Sequence, residues 1–93
     1  MQKDIVALRE ELAGLDGHIV ALLAQRFTLT RAIGDWKERL GLPPVDEARV
    51  RDFLARWGRM AQEHDTSTDF VVRVAGKIHE LVAEDHLQRY PAK

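Results

Sequence analysis

The residues best placed to do chemistry are three cations on one stretch of chain: Arg9, Arg26 and Lys37. Arg26 stands where an apolar side chain belongs. Ile5, Leu8, Leu12, Leu15, Ile19, Leu22, Leu29, Ile33, Trp36 and Leu40 recur in steps of three and four, which is one stripe on one helix face. The position that would close the gap between Leu22 and Leu29 is Arg26. A guanidinium taken out of water without a partner costs several kcal/mol. Arg26 must therefore pair with an acid on a neighbouring helix, or face a cavity that holds an anion. Lys37 follows about three turns on, at ~16 Å and on nearly the same face. Arg9 flanks Leu8 as Lys37 flanks Trp36. Taken singly, Arg9 and Lys37 read as solvated flank charges. Taken with Arg26 they suit a small polyanion, because arginine forks grip carboxylates with two parallel hydrogen bonds.

The element that must carry them is one long helix, from about Asp4 to about Leu40. Lys37 and Arg39 in its last turn, Gly41 just beyond and the pair Pro43-Pro44 mark its end. Gly14, Gly17 and Gly34 each weaken it by roughly 1 kcal/mol against alanine, so packing must hold it. At ~1.5 Å per residue it would reach about 55 Å, more than the width of a compact domain of this size. Asp46 suits the N-cap of a second helix with Val50, Phe53, Leu54, Trp57, Met60 and Ala61 on one face, ending near His64. The stretch 65–68 is a connector with cap residues. A third helix runs from about Asp69 to Gln88 with Phe70, Val71, Val74, Ile78, Leu81 and Val82 as its stripe. Nothing alternates as a strand does. The expectation is an all-α chain of one long and two shorter helices in a single domain, residues 1–93.

Two short helices cannot cover so long a stripe, and the economical remedy is a second copy with the long helices antiparallel about a two-fold axis. Arg9 and Arg26 lie ~25 Å apart along one helix, too far for one small ligand. In an antiparallel pair crossing near Val20 or Ala21, Arg9 of one chain comes level with Ile33 of the other, between Arg26 and Lys37. Dimerisation would then assemble two sites of three cations each.

Composition narrows the alternatives. The chain has 93 residues, 31% of them charged, with a formal net charge of −1. That balance argues against a nucleic-acid or membrane-surface binder, which needs a basic excess. No apolar run approaches the roughly 20 residues of a membrane span, and the first residues lack the apolar core of a signal peptide, so a cytoplasmic location is expected. The absence of cysteine removes disulfides, thiolate metal sites and thiol nucleophiles. His18, His64, His79 and His86 form no metal set; His79-Glu80 begins like a zinc-protease helix, but Ala83 occupies the fourth position on. No metal and no cofactor are called for. Arg51, Arg56 and Arg59 read as a solvated helix face.

The run LREELAGLDGHIVALLAQRFTLTRAIGDWK, followed by Pro-Pro-Val-Asp, an arginine three residues later and Ile78-His79-Glu80, resembles the small all-α chorismate mutases. The resemblance extends without a gap from about Val6 to Arg89. It implies an interlocked antiparallel homodimer of three-helix chains with shared sites for a small dicarboxylate. It also implies a Claisen rearrangement of chorismate to prephenate, with no nucleophile, metal or obligatory proton transfer. Such a reaction needs a folded substrate conformer and charge stabilisation at the ether oxygen. The resemblance assigns Arg9 of the partner chain, Arg26 and Lys37 to the two carboxylates, with a lysine or another donor at the ether oxygen. Asp46 and Arg49 match the family's pair at the start of the second helix. Three positions depart: a glutamate that contacts the C4 hydroxyl falls at Val50, a serine near a carboxylate at Val82, and a glutamine that donates to the ether oxygen at His86. The departures keep two relatives of the fold in play, isochorismate pyruvate lyase and 4-amino-4-deoxychorismate mutase. A reading of another class is a non-catalytic helical dimerisation module, in which Arg26 would meet a protein carboxylate.

Overall fold

The computed structural model describes residues 4–91. Three helices account for nearly all of them: α1 (Ile5–Leu40), α2 (Glu47–Glu63) and α3 (Thr68–Arg89), with no strand among the described residues. The all-α expectation is met, and the boundaries move by one residue at most.

Each terminus has a local cause. The Asp4 carboxylate accepts from the Ala7 N–H at 2.9 Å, so Asp4 caps α1. At the other end Gly41 takes φ +68°, the left-handed conformation that costs glycine nothing. The Leu42 N–H then returns to the Lys37 carbonyl at 2.9 Å and the Gly41 N–H to that of Glu38 at 3.3 Å, which closes a Schellman motif. Asp46 Oδ1 accepts from the N–H groups of Ala48 and Arg49 at 3.0 and 3.4 Å and starts α2. A second Schellman motif ends α2, with the Thr66 N–H on the Ala61 carbonyl and the Asp65 N–H on that of Gln62. Here the left-handed residue is Asp65 (φ 51°), which tolerates that region better than most non-glycines. The Ser67 hydroxyl accepts from the Phe70 N–H at 3.1 Å and starts α3.

Contacts divide the chain into two compact units, one up to Ala32 and one from Ile33 onward. The first is the bulk of α1. The second joins the last turns of α1 to α2 and α3, and α2 packs along α3. That packing differs from the sequence expectation in one respect. The large side chains of the two stripes are at best half-buried, and Met60, Phe70, Val74 and Leu81 are exposed. The contact line runs instead through small residues. Gly58 is buried where the side chains of Thr68 and Val72 approach it, and Ala61 and Ala75 are buried to 2% and 0% exposure. Among the described residues only Gly34, Gly58, Ala61 and Ala75 are buried. Close approach of two helices selects small residues at the crossing, and two helices alone leave their large side chains on the rim. The α1 stripe is likewise open, with every member from Ile5 to Leu40 between 53% and 64% exposed.

Candidate active site

The sequence-derived site residues fall in both units. Arg9 and Arg26 belong to the first, where Arg9 is exposed and Arg26 half-buried. Arg26 is not without a partner. Its stripe neighbours Leu22 and Leu29 remain 63% and 64% exposed.

The second unit carries Lys37, Asp46, Arg49, Val50, Val82 and His86. Lys37 is half-buried and its Nζ donates to the Pro44 carbonyl at 3.2 Å. That bond ties the last turn of α1 to the segment that leads into α2. Pro44 is only two residues before Asp46, so the tie fixes the start of α2 relative to the lysine. Arg49 and Val50 occupy the first turn of α2 behind the Asp46 cap, Arg49 exposed and Val50 half-buried. One carboxylate oxygen of Asp46 is thus engaged in capping. This structural duty accompanies any contact with a ligand.

Val82 and His86 are one turn apart on α3 and both half-buried. His86 lies against α1 at Gly34: a Cβ built on Gly34 would stand 3.0 Å from Nδ1 and 3.7 Å from Cε1 of the imidazole. Nδ1 and Cε1 are thus the ring atoms nearest α1 there, and Nε2 lies beyond 4 Å of that point. Gly34 and Lys37 are three residues apart on α1, neighbours on one face. The fold so brings His86 of α3 beside the turn that carries Lys37.

A group that sequence reasoning missed holds this corner. Asp35 Oδ1 accepts from Arg89 Nη2 at 2.8 Å and from the Tyr90 hydroxyl. Tyr90 also packs against His86, ring centroids 5.2 Å apart and tilted by 50°. The Asp35 and Arg89 side chains are 42% and 29% exposed. The Tyr90 hydrogen bond, opposed by partial desolvation and aided by the charges of Arg89 and Arg39, holds the Asp35 carboxyl below the usual carboxylate range. The same bond raises the Tyr90 phenol, because a phenolate would face the carboxylate. Nothing in the sequence announces a partnership across 54 positions. The one available sign was Gly34, a glycine inside a helix with no turn to make, which marks close approach of another group.

The family model for chorismate mutase type II matches residues 8–86. The chain is 31% identical over 84 residues to the bifunctional chorismate mutase/prephenate dehydratase of Escherichia coli, covering 90% of this chain and 21% of that protein. It spans about a fifth of the length of such bifunctional relatives. It is 32% identical over 73 residues to the 4-amino-4-deoxychorismate mutase of Streptomyces venezuelae, covering 78% of this chain and 71% of that one. To the chorismate mutase of Methanocaldococcus jannaschii it is 23% identical over 74 residues, 80% of this chain and 75% of that one. With more than three quarters of its residues inside the matched span, the chain belongs to the chorismate mutase type II family.

Proposed function

We propose that the chain, acting as one domain, catalyses the rearrangement of chorismate to prephenate in a homodimer with two shared sites. The observation that carries this reading is the span of the family match. It includes Arg9, Arg26, Lys37, Asp46, Arg49 and His86, the whole set of charged and donor residues read from the sequence. In this reading Arg26, Lys37 and the partner subunit's Arg9 grip the substrate's carboxylates. Arg49 and Asp46 line the mouth of α2, and Val50 and Val82 supply apolar wall. Lys37 and His86 serve the ether oxygen, where negative charge builds as the C–O bond breaks. The reaction is a concerted exchange of one C–O bond for one C–C bond within a single molecule, so no proton or electron need leave the substrate. Catalysis then consists of holding a compact conformer and stabilising the developing charge.

The open stripe supports the dimer. Each of its ten residues has more than half its surface left to cover, and burying a large apolar side chain contributes roughly 1.5–3 kcal/mol in full. Even about 1 kcal/mol each, over two chains, exceeds the roughly 4–15 kcal/mol lost in rotational and translational freedom on association.

A second substrate has support of its own. The relative from Streptomyces venezuelae is named for 4-amino-4-deoxychorismate; Val50 offers an ammonium at the 4-position no carboxylate, so Asp46 would have to supply it, whereas isochorismate, with its hydroxyl elsewhere, needs no partner there. The test is incubation of the purified protein with chorismate, 4-amino-4-deoxychorismate and isochorismate, with products separated and identified. Prephenate formed fastest from chorismate is the expected result. Faster turnover of the amino compound would transfer the assignment, and pyruvate with salicylate from isochorismate would replace it with a lyase. No product from any of the three would leave a non-catalytic dimerisation module.

A further inference from the structure

We propose that Asp35, Arg89 and Tyr90 form a positioning latch that seats the His86 imidazole on Gly34 by its Nδ1 side and so leaves its Nε2 edge for a ligand. The proposal rests on the reading above only in giving that edge a substrate to meet.

Three observations converge on the latch. First, Asp35 is adjacent to Gly34 in the chain, and Arg89 and Tyr90 follow His86 by three and four residues. Tying Asp35 to Arg89 and Tyr90 therefore pins the turn of α3 that carries His86 to the turn of α1 that carries Gly34. Second, the seat is close-fitting: Gly34 is buried, and an alanine Cβ there would press on the ring at 3.0 Å from Nδ1, so that the imidazole would have to shift by a few tenths of an ångström. Third, the outer side of the imidazole is packed by Tyr90, whose hydroxyl is itself anchored on Asp35. One carboxylate thus sets the tyrosine, and the tyrosine and Gly34 together set the histidine.

The need for such a device follows from position. His86 lies in the last turn of α3, where helices fray because their final carbonyls lack intrahelical partners. The Tyr90 N–H closes that turn on the His86 carbonyl at 2.9 Å, and Arg89 and Tyr90 add side-chain anchors to α1. A donor required at one atom of a substrate needs this kind of restraint, since a shift of about 1 Å can cost up to ~100-fold in rate.

Tyr90→Phe keeps the ring and removes the anchor. Asp35→Ala removes the acceptor, and Asp35→Asn keeps an oxygen that both donors can use. Gly34→Ala fills the seat without touching the anchor, while alanine favours the helix by about 1 kcal/mol over glycine. The readouts are the His86 ring resonances in two-dimensional NMR, identified by their loss in His86→Gln, and kcat against KM. The expected result is that Tyr90→Phe, Asp35→Ala and Gly34→Ala move the His86 resonances in folded protein. Each should lower kcat about ten-fold with KM nearly unchanged, and Asp35→Asn should recover most of both. Gly34→Ala should do so without lowering the melting temperature, a split that a merely structural contact would not produce. In a His86→Gln background Tyr90→Phe should cost little. His86 resonances unmoved by Tyr90→Phe and Asp35→Ala would overturn the latch, as would equal kcat losses with and without His86. Resonances that move while no variant, His86→Gln included, alters turnover would uphold the latch and overturn the reading of His86 as a site residue.

Discussion

A single carboxylate sets the pH behaviour of the corner where α1 meets α3. Asp35 titrates below its ordinary value near 3.8, so its contribution is complete above that pH and is lost as pH falls through the lowered value. Tyr90 titrates above its ordinary value near 10.0, so its contribution is complete below that pH and is lost as pH rises through the raised value. Wild-type protein should therefore melt at a higher temperature than Asp35→Ala between about pH 4 and 10, and the two curves should converge outside that window. Parallel curves at all pH values would show that the bond contributes nothing. His86 has a test of its own, on rate. His86→Gln keeps a side-chain N–H and should retain most of the turnover, whereas His86→Leu, which has no donor, should lower it about ten-fold or more. Unchanged turnover in His86→Leu would take the histidine out of the reaction.

At the scale of the element, Asp46 has one observed duty and one proposed, and a substitution separates them. Its carboxylate caps α2, and in the proposed reaction it also faces the ligand. Asp46→Ala should cost about 1 kcal/mol of stability as well as activity, as loss of a cap does. Asp46→Ser keeps an oxygen for the Ala48 and Arg49 N–H groups, so denaturant midpoints should return close to wild type. Activity recovered along with stability would reduce Asp46 to a cap; activity still low would leave it a ligand contact. Such caps are why the helices were legible at all. Asp46, Gly41 and the polar stretch 65–68 are local signals, and the helices begin and end within a residue of where those signals point. The roles of Gly58 and Ala75 were not legible, and Gly34 hinted at a close approach without saying to what, because a small residue in a helix gains meaning only from the helix laid against it. The Asp35–Arg89–Tyr90 group was hidden for the same reason. Its members are ordinary surface residue types, and only the meeting of two helix ends makes them a unit.

For the whole molecule, the decisive fact is that the buried described residues are glycine and alanine only. A chain with so little large side-chain burial has little to hold it alone, and the stripe of α1 offers what is missing. Folding should therefore be coupled to association, so that the melting temperature rises with protein concentration. A stable folded monomer in sedimentation at micromolar concentration would contradict this, and would remove the shared site with it. The shared site has a sharper test. Arg9→Ala and Arg26→Ala should each abolish turnover, and mixing the two with subunit exchange should restore part of it. The mixed dimer places both lesions in one of its two sites and leaves the other whole. No recovery after verified exchange would mean that Arg9 and Arg26 do not meet across subunits.

The chain's two tryptophans lie on different elements and in different surroundings. Trp57 is half-buried on α2, its ring 5.3 Å from that of Phe53. Trp36 sits on the α1 stripe, 56% exposed, with the Arg39 guanidinium 4.6 Å above its ring. Indole emission shifts to longer wavelength in contact with water, so each ring is a lamp for one event: Trp57 for the α2–α3 hairpin, Trp36 for whatever covers α1. In a Trp57→Phe protein, dilution should redden the emission without denaturant. In a Trp36→Phe protein, the same colour change should come over the same range of dilution, because helices that fold only in association come apart with it.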